Sequence, residues 1–196
     1  MKRIAFLLIL LLSVSFVTFA QTQVATLQHG DDISVFYGAT ALIEAHDSAE
    51  TGDIITLSSG NFASTTIRKA ITLRGAGCER DSIAGILPTI IPSLLLFSIE
   101  DDSTAFLTVE GILFRGNVKC TCDLYNSKFI RCQFDSEFNN NSYNKIYNAQ
   151  FINCFFPNRS WFTFTKSCTL INCVAWDLRV SGGIHLTIYN STRWRN

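Results

Sequence analysis

One motif in the second half of the chain decides the fold: Phe129-Ile-Arg-Cys-Gln-Phe134, Phe151-Ile-Asn-Cys-Phe-Phe156 and Leu170-Ile-Asn-Cys-Val-Ala175. Ile188-Tyr-Asn-Ser191 repeats the first four positions of this motif, and Thr108-Val-Glu-Gly-Ile-Leu113 fits it less closely. Because internal self-similarity at a fixed period is the signature of repeat architectures, the whole chain is best interpreted from this motif outward.

The spacing of the repeats favours short strands over helices. Aligning Gly111, Cys132, Cys154, Cys173 and Ser191 gives steps of 21, 22, 19 and 18 residues. Helical repeats have longer periods, and the segments between these anchors are rich in β-branched and aromatic residues interrupted by Asn, Ser, Gly and Asp. A rung of about twenty residues buries its apolar side only when it stacks on its neighbours. We therefore predict an all-β fold, a single-stranded parallel β-helix or solenoid.

Stacked rungs place equivalent residues over one another, and the alignment predicts three such rows. Asparagines should form a ladder of side-chain amides at a bend, cysteines should lie just inside that bend, and phenylalanines should stack in the core. The expected members are Asn153, Asn172 and Asn190 for the first row, Cys132, Cys154 and Cys173 for the second, and Phe134 and Phe156 for the third.

The first half of the chain carries the resemblance to a known family. Gly52-Asp-Ile-Ile-Thr-Leu-Ser-Ser-Gly-Asn-Phe62, Ile71-Thr-Leu-Arg-Gly-Ala-Gly77 and Leu107-Thr-Val-Glu-Gly-Ile-Leu-Phe114 resemble the pectin-lyase-like superfamily. The resemblance covers residues 39–190 and implies a right-handed β-helix, here of seven or eight rungs. The helical propensity of Ala39 to His46 predicts a short N-terminal helix that caps the first rung.

The N-terminus has the pattern of an export signal. Lys2 and Arg3 precede an apolar run from Ile4, which ends in small residues at Thr18 and Ala20. We expect residues 1–20 to be a cleaved signal peptide, although an uncleaved membrane anchor is the alternative. Residues 21–37 would then be a lead-in to a β-helix domain over 38–196. The mature protein would be secreted, periplasmic or on the cell surface, with no transmembrane segment.

Composition excludes one class of partner and limits the role of cysteine. Loss of Lys2 and Arg3 leaves 14 of the 16 Lys and Arg against 16 Asp and Glu, a formal charge of −2. This balance argues against a nucleic-acid partner, because phosphate binding requires clustered positive charge. The seven cysteines are odd in number and lie in apolar contexts, so we interpret most of them as small buried residues.

The sequence offers only weak signs of catalysis. The enzymes that this fold resembles cleave acidic polysaccharides, but the Asn-x-Asp, Gly-His-Gly and Arg-x-Lys patterns of its hydrolases are absent. The remaining candidate acids are Asp101, Asp102, Asp135 and Asp177, with Arg131 or Arg159 nearby. Calcium would be needed only by a lyase, so we predict no cofactor otherwise. The three histidines are scattered through the chain, which predicts no metal site.

A ligand-binding patch is predicted near the C-terminus. Trp176 and Trp194 are 18 residues apart, one rung, and should stack; Asp177 and Arg195 should form an ion pair beside them. Such a patch suits a sugar ring, or it stabilises the last rungs by aromatic stacking alone.

We therefore expect a non-catalytic exported β-helix that binds a glycan or a cell-surface partner. The alternatives are a divergent lyase or hydrolase of acidic polysaccharide, or a structural piece of a larger array. Self-association through the C-terminal edge is a further possibility, because the chain ends within five residues of Ser191.

The export signal makes a direct prediction. Mass spectrometry of the protein recovered from an expressing cell should give a mature chain that begins at Gln21, because signal peptidase cleaves after a small residue. A recovered chain that begins at Met1 would contradict it.

Overall fold

The computed structural model describes residues 22–193, apart from 80–82, 84, 94, 100–103, 105, 141–145, 164–166 and 182–184. Among the described residues are one helix, α1 (Ala41–Ser48), and 22 strands. In chain order the strands are β1 (Val24–His29), β2 (Asp32–Tyr37), β3 (Ile54–Leu57), β4 (Gly60–Asn61), β5 (Thr66–Ile67), β6 (Thr72–Arg74), β7 (Thr89–Ile91), β8 (Leu95–Phe97), β9 (Thr108–Glu110), β10 (Ile112–Phe114), β11 (Val118–Cys120), β12 (Leu124–Tyr125), β13 (Lys128–Ile130), β14 (Gln133–Phe134), β15 (Phe138–Asn140), β16 (Ile146–Tyr147), β17 (Ala149–Ile152), β18 (Phe155–Thr163), β19 (Ser167–Ile171), β20 (Val174–Ser181), β21 (His185–Tyr189) and β22 (Thr192–Arg193).

The strands wind into a parallel β-solenoid, which confirms the predicted fold class. The solenoid has about five turns, fewer than the seven or eight rungs that the sequence suggested. Sheet A has the strand order β2-β1-β3-β6-β9-β13-β17-β19-β21, and the pairs from β3 to β21 are parallel. Sheet B contains two parallel ladders, β4-β7-β10-β14 and β5-β8-β11-β15, which merge in the long strand β18. Strands β12 and β16 form a small third sheet. The right hand of the winding stays a prediction.

The N-terminal lead-in folds as a β-hairpin on the edge of sheet A. Strand β1 pairs antiparallel with β2 on one side and with β3 on the other. The hairpin turn has Gly30 at φ 58°, a conformation that glycine adopts without strain. Helix α1 begins two residues later than predicted, buries Leu42 and Ala45 completely, and packs against β1 and β2. Its role as a cap stays a prediction.

The bend between the sheets is built on a row of left-handed residues. Gly111, Arg131, Asn153, Asn172 and Asn190 have φ values between 47° and 65°. The amides of Arg131, Asn153 and Asn172 donate to the carbonyl oxygens of Ile152, Ile171 and Tyr189 in the next rung, at 2.8–2.9 Å. The predicted asparagine row therefore exists, but its bonds run through backbone amides while its side chains are exposed. Asparagine suits this position because it tolerates the left-handed conformation.

A true ladder of side-chain amides occurs at a different bend. Asn126 and Asn148, with φ values of 46° and 54°, follow the paired strands β12 and β16. The Nδ2 atom of Asn148 donates to Oδ1 of Asn126 at 3.0 Å, and Tyr125 stacks on Tyr147 with ring centroids 4.6 Å apart.

Phenylalanine stacks fill the core, as predicted for Phe134 and Phe156. Their ring centroids are 4.9 Å apart with an interplanar angle of 3°. Phe114 continues this stack on the other side of Phe134 at 5.1 Å. Phe129 and Phe151 form a second stack at 4.9 Å. Rings of the two stacks meet edge to face, which is a favourable arrangement for aromatic quadrupoles.

The predicted cysteine row lies just inside the left-handed bend. Cys132, Cys154 and Cys173 are buried, and each thiol donates to carbonyl oxygens, for example Cys154 to Phe129 at 3.4 Å and Cys173 to Phe151 at 3.3 Å. No disulfide joins any of the seven cysteines. Their interpretation as small buried residues is confirmed for five of them, while Cys78 and Cys122 are half-buried.

The two neighbouring phenylalanines of β18 give a matched test of this core. Phe156 is fully buried, whereas Phe155 points outward and is 41% exposed. We expect Phe156→Ala to lower the free energy of unfolding by about 3–5 kcal/mol, because it removes contacts and leaves a cavity. Phe155→Ala should lower it by less than about 1 kcal/mol. Urea denaturation of both variants measures the difference, and equal losses would contradict the assigned faces.

Candidate functional site

One outward-facing row of sheet B consists mostly of apolar side chains. Parallel pairing places Ile90, Leu113, Gln133, Phe155 and Val174 in register on successive strands. Each lies next to an inward residue of the core, because side chains alternate between the two faces of a strand. The side chains at the start of the row are covered, while Phe155 and Val174 are 41% and 36% exposed.

A hollow of about 410 Å³ lies over the covered part of this row. Cys78, Glu79, Leu87 and Pro88, which follow β6 in the chain, contribute to its lining. The polar groups lie at the rim. The residues that line the hollow are Cys78, Glu79, Leu87, Pro88, Ile90, Leu113, Arg115, Gln133 and Asp135. We call it the outer hollow. An apolar floor with a few polar groups at the rim is the usual character of a small-molecule site.

Asp135, one of the candidate acids, lies in the outer hollow. Its Oδ1 atom accepts a hydrogen bond from Nε2 of Gln133 at 2.5 Å, and its backbone carbonyl accepts one from Nδ2 of Asn158. Its backbone amide donates to the carbonyl oxygen of Phe114, which continues the pairing of β10 with β14. The Asp135 carboxylate is therefore held in a fixed orientation at the rim.

Asp177 lies further along the same surface and is bound by two arginines. Its Oδ2 atom is 3.0 Å from Nε of Arg159 on β18 and 3.4 Å from Nε of Arg179 on its own strand. The hydrogen bond from Arg159 is the main reason why the pKa of Asp177 is lowered. A carboxylate kept ionised in this way is unsuited to act as a general acid. In the structure, the carboxylate of Asp177 holds the guanidinium groups of Arg159 and Arg179 in place.

Trp176, one of the predicted binding residues, lies on the outer surface of sheet B. It is 46% exposed and points outward on β20, two residues beyond Val174. It is therefore a diagonal neighbour of Phe155, at a distance of roughly 8 Å along the sheet surface. Trp194, Arg195, Asp101 and Asp102 lie outside the described residues, so the predicted tryptophan stack and the Asp177–Arg195 ion pair stay predictions.

Arg131, His29 and His46 are held by contacts within the fold. Arg131 pairs with Oε1 of Glu110 at 2.5 Å, and Nδ1 of His29 contacts Asp53 at 2.8 Å. His46 is buried rather than at the surface, and its Nε2 atom accepts the Arg68 amide at 3.1 Å. Burial lowers the pKa of His46. Among the residues that the structure describes, no group of three or more His, Cys, Asp or Glu side chains is arranged to hold a metal ion.

An acidic pair that follows a glycine, Gly30-Asp31-Asp32, matches a further pattern of the hydrolases that this fold resembles. Gly30 and Asp31 form the tight turn between β1 and β2, and Asp32 begins β2. None of these residues lines the outer hollow.

Comparison with protein-family profiles, curated proteins and solved structures finds no match to this chain. The parallel solenoid is shown by the structure, while membership of the pectin-lyase-like superfamily stays a prediction.

Sequence reasoning missed most of the outer hollow. Glu79 and Arg115 belong to no motif, and Gln133 is part of the repeat motif but carries no signal of a site. The three line one hollow only because separate turns of the solenoid stack. The paired Tyr125-Asn126 and Tyr147-Asn148 could have been found, since their step of 22 residues equals the step from Cys132 to Cys154.

The thiols give a direct test of this surface. We expect an alkylating reagent to label the half-buried Cys78 and Cys122 in the native protein, and all seven cysteines after denaturation. Burial raises the pKa of Cys78, so its labelling should accelerate as the pH rises and the thiolate forms. Burial also raises the pKa of Cys154. Peptide mapping by mass spectrometry identifies the labelled sites, and native labelling of Cys154 would contradict the assignment.

Proposed function

We propose that this protein is an exported, non-catalytic β-solenoid that binds a carbohydrate chain on the outer face of sheet B. The binding surface runs from the outer hollow along Phe155 and Val174 to Trp176. The observation that carries the proposal is the continuity of this face, because a hollow with a polar rim and two exposed aromatic side chains lie on neighbouring strands.

The chemistry of the surface suits a sugar better than an apolar ligand. Sugar rings present C–H groups on their faces and hydroxyl groups at their edges. Phe155 and Trp176 offer aromatic faces on which the C–H groups can stack. The rim of the outer hollow offers carboxylate, amide and guanidinium groups that can hydrogen-bond to the hydroxyl groups. A solenoid repeats these positions at the strand spacing of about 4.8 Å, so an extended chain can follow several rungs.

Binding fits the surface better than bond cleavage does. Asp177 is held ionised by Arg159 and Arg179, and Asp135 is oriented by Gln133. In the alternative, a divergent lyase or hydrolase of acidic polysaccharide, Asp135 and Glu79 are the carboxylates that line the hollow, while the candidate acids Asp101 and Asp102 lie outside the described residues. Export supports an extracellular ligand and rests on the N-terminal signal pattern. Among the described residues, no helix is long and apolar enough to cross a membrane.

The proposal is tested with a panel of neutral and acidic polysaccharides, with and without calcium, by following binding and product release together. We expect at least one polysaccharide to bind without cleavage. Trp176→Ala should weaken that binding about two- to tenfold, because a stacked aromatic side chain contributes roughly 0.5–1.5 kcal/mol. Bound polysaccharide should also slow the alkylation of Cys78, which lines the hollow.

Tyr189→Ala is the matched control. Tyr189 is a comparably exposed aromatic residue, at 58%, but it lies on β21 in sheet A. Its replacement should leave binding unchanged. Product release by the native protein, lost in Asp135→Asn, would establish the enzymatic alternative. Equal losses in Trp176→Ala and Tyr189→Ala, or no binding to any polysaccharide, would overturn the proposed surface.

A further inference from the structure

Strand β2 is the outermost strand of sheet A, and one of its two backbone edges is left unpaired by the described chain. The direction of each backbone group follows from the pairing with β1. The amide of Gly38 donates to the carbonyl of Gln23 at 2.8 Å, immediately beyond the pair Val24 and Tyr37. Because hydrogen-bonded pairs alternate along an antiparallel ladder, Phe36 and Ser34 bond to β1. The N–H and C=O groups of Ile33, Val35 and Tyr37 then point away from the sheet.

The same three residues also present apolar side chains to solvent. Ile33 is 66% exposed, Val35 45% and Tyr37 65%, all on the outer face of the strand. On the inner face, Phe36 packs against the core. The strand contains no proline or lysine, and its one charged residue, Asp32, lies at its first position. Natural edge strands are usually protected by such residues, so an edge that combines unpaired backbone with β-branched side chains is a template for another strand.

We propose that this edge is an interface between two copies of the chain, in which β2 pairs antiparallel with the partner's β2 about a two-fold axis at Val35. In this register Val35 lies opposite the partner's Val35, and Ile33 lies opposite the partner's Tyr37. The outward backbone groups of these residues then form about six hydrogen bonds. Each exposed apolar side chain meets another one on the same face, so the strand is complementary to itself, as a two-fold interface requires.

The number of paired residues selects this register over its neighbours. With Val35 on the axis, Asp32 lies opposite the partner's Gly38, and the acidic residues of the two hairpin turns lie at opposite ends of the paired strands. Moving the axis to Ser34 would still pair the outward backbone groups of Ile33 with those of the partner's Val35, but it would place Tyr37 opposite the partner's Asp31 in the hairpin turn. Moving it to Ile33 would leave Tyr37 without a partner and bring Asp32 opposite the partner's Ser34. The register centred on Val35 is therefore the one that pairs all three outward residues with one another.

The interface is distinct from the proposed carbohydrate surface, because β2 belongs to sheet A and the outer hollow lies on sheet B. Two copies joined in this way would present two binding surfaces, so self-pairing would also increase avidity for a polymeric ligand. It also differs from the association through the C-terminal edge that the sequence suggested, since β2 and β21 are at opposite ends of sheet A.

Sedimentation of the purified protein over a range of concentrations tests the interface. We expect a reversible monomer–dimer equilibrium. Val35→Lys should raise its dissociation constant about tenfold or more, because it places two like charges opposite each other on the axis. Val174→Lys is the matched control, since Val174 is a similarly exposed strand valine on sheet B, and it should leave the constant unchanged. Ile188→Lys, on β21, should also leave it unchanged.

Amide hydrogen exchange distinguishes the proposed register from any other association. In dilute protein the amides of Ile33, Val35 and Tyr37 should exchange fast, while those of Ser34 and Phe36 are protected by β1. At dimer-forming concentrations all five should be protected. A monomer at every concentration, a dimer that persists in Val35→Lys and dissociates in Ile188→Lys, or exchange of Val35 that is independent of concentration would each overturn the proposal. A monomer whose β2 edge is protected only after addition of an extended peptide would show that the edge accepts a foreign strand instead.

Discussion

The parallel, in-register hydrogen bonding between rungs is the interaction on which the rest of this structure depends. A single rung has two or three short strands and too few apolar side chains to form a core, so every rung relies on the rung before and after it. In-register pairing places like residues over like, and this is why the core consists of rows. Phe134 stacks on Phe156, and Cys154 lies between Cys132 and Cys173, because parallel strands repeat each position at a fixed spacing.

The stack can continue only where the chain turns at the same place in each rung. The row from Gly111 to Asn190 meets this requirement with residues in the left-handed conformation, whose amides bond to the next rung. Gly75 shows how close the backbones come at the first of these bends, since a Cβ atom there would collide with the carbonyl oxygen of Gly111. Arg131 occupies the conformation without the advantages of glycine or asparagine, and its side chain pairs with Glu110.

The alternation of side chains that builds the core also creates the outer surfaces. Phe155 is exposed because Phe156 is buried, and Ile33, Val35 and Tyr37 lie on the face of β2 opposite to Phe36, which packs against the core. Two kinds of surface result. The face of sheet B offers side chains over several rungs, which suits an extended ligand. The edge of sheet A offers backbone groups, which suits another strand. Both follow from the same geometry, and neither requires a dedicated motif.

The sequence by itself determined the solenoid, the position of the left-handed bend, the cysteine row and the Phe134–Phe156 stack, because a repeat of about twenty residues carries this information locally. It also singled out Asp135, Asp177 and Trp176 as candidate site residues, with Arg159 among the cations expected nearby, and Arg159 and Arg179 bind Asp177 in the described structure. Only the tertiary structure decided which residues outside the repeated rows meet across rungs. Glu79, Arg115 and Gln133 reach the outer hollow from three separate turns, and the β2 edge exists because β1 pairs with β3 on its other side. Such contacts depend on register and on the path of a loop, and no local pattern in the sequence encodes either.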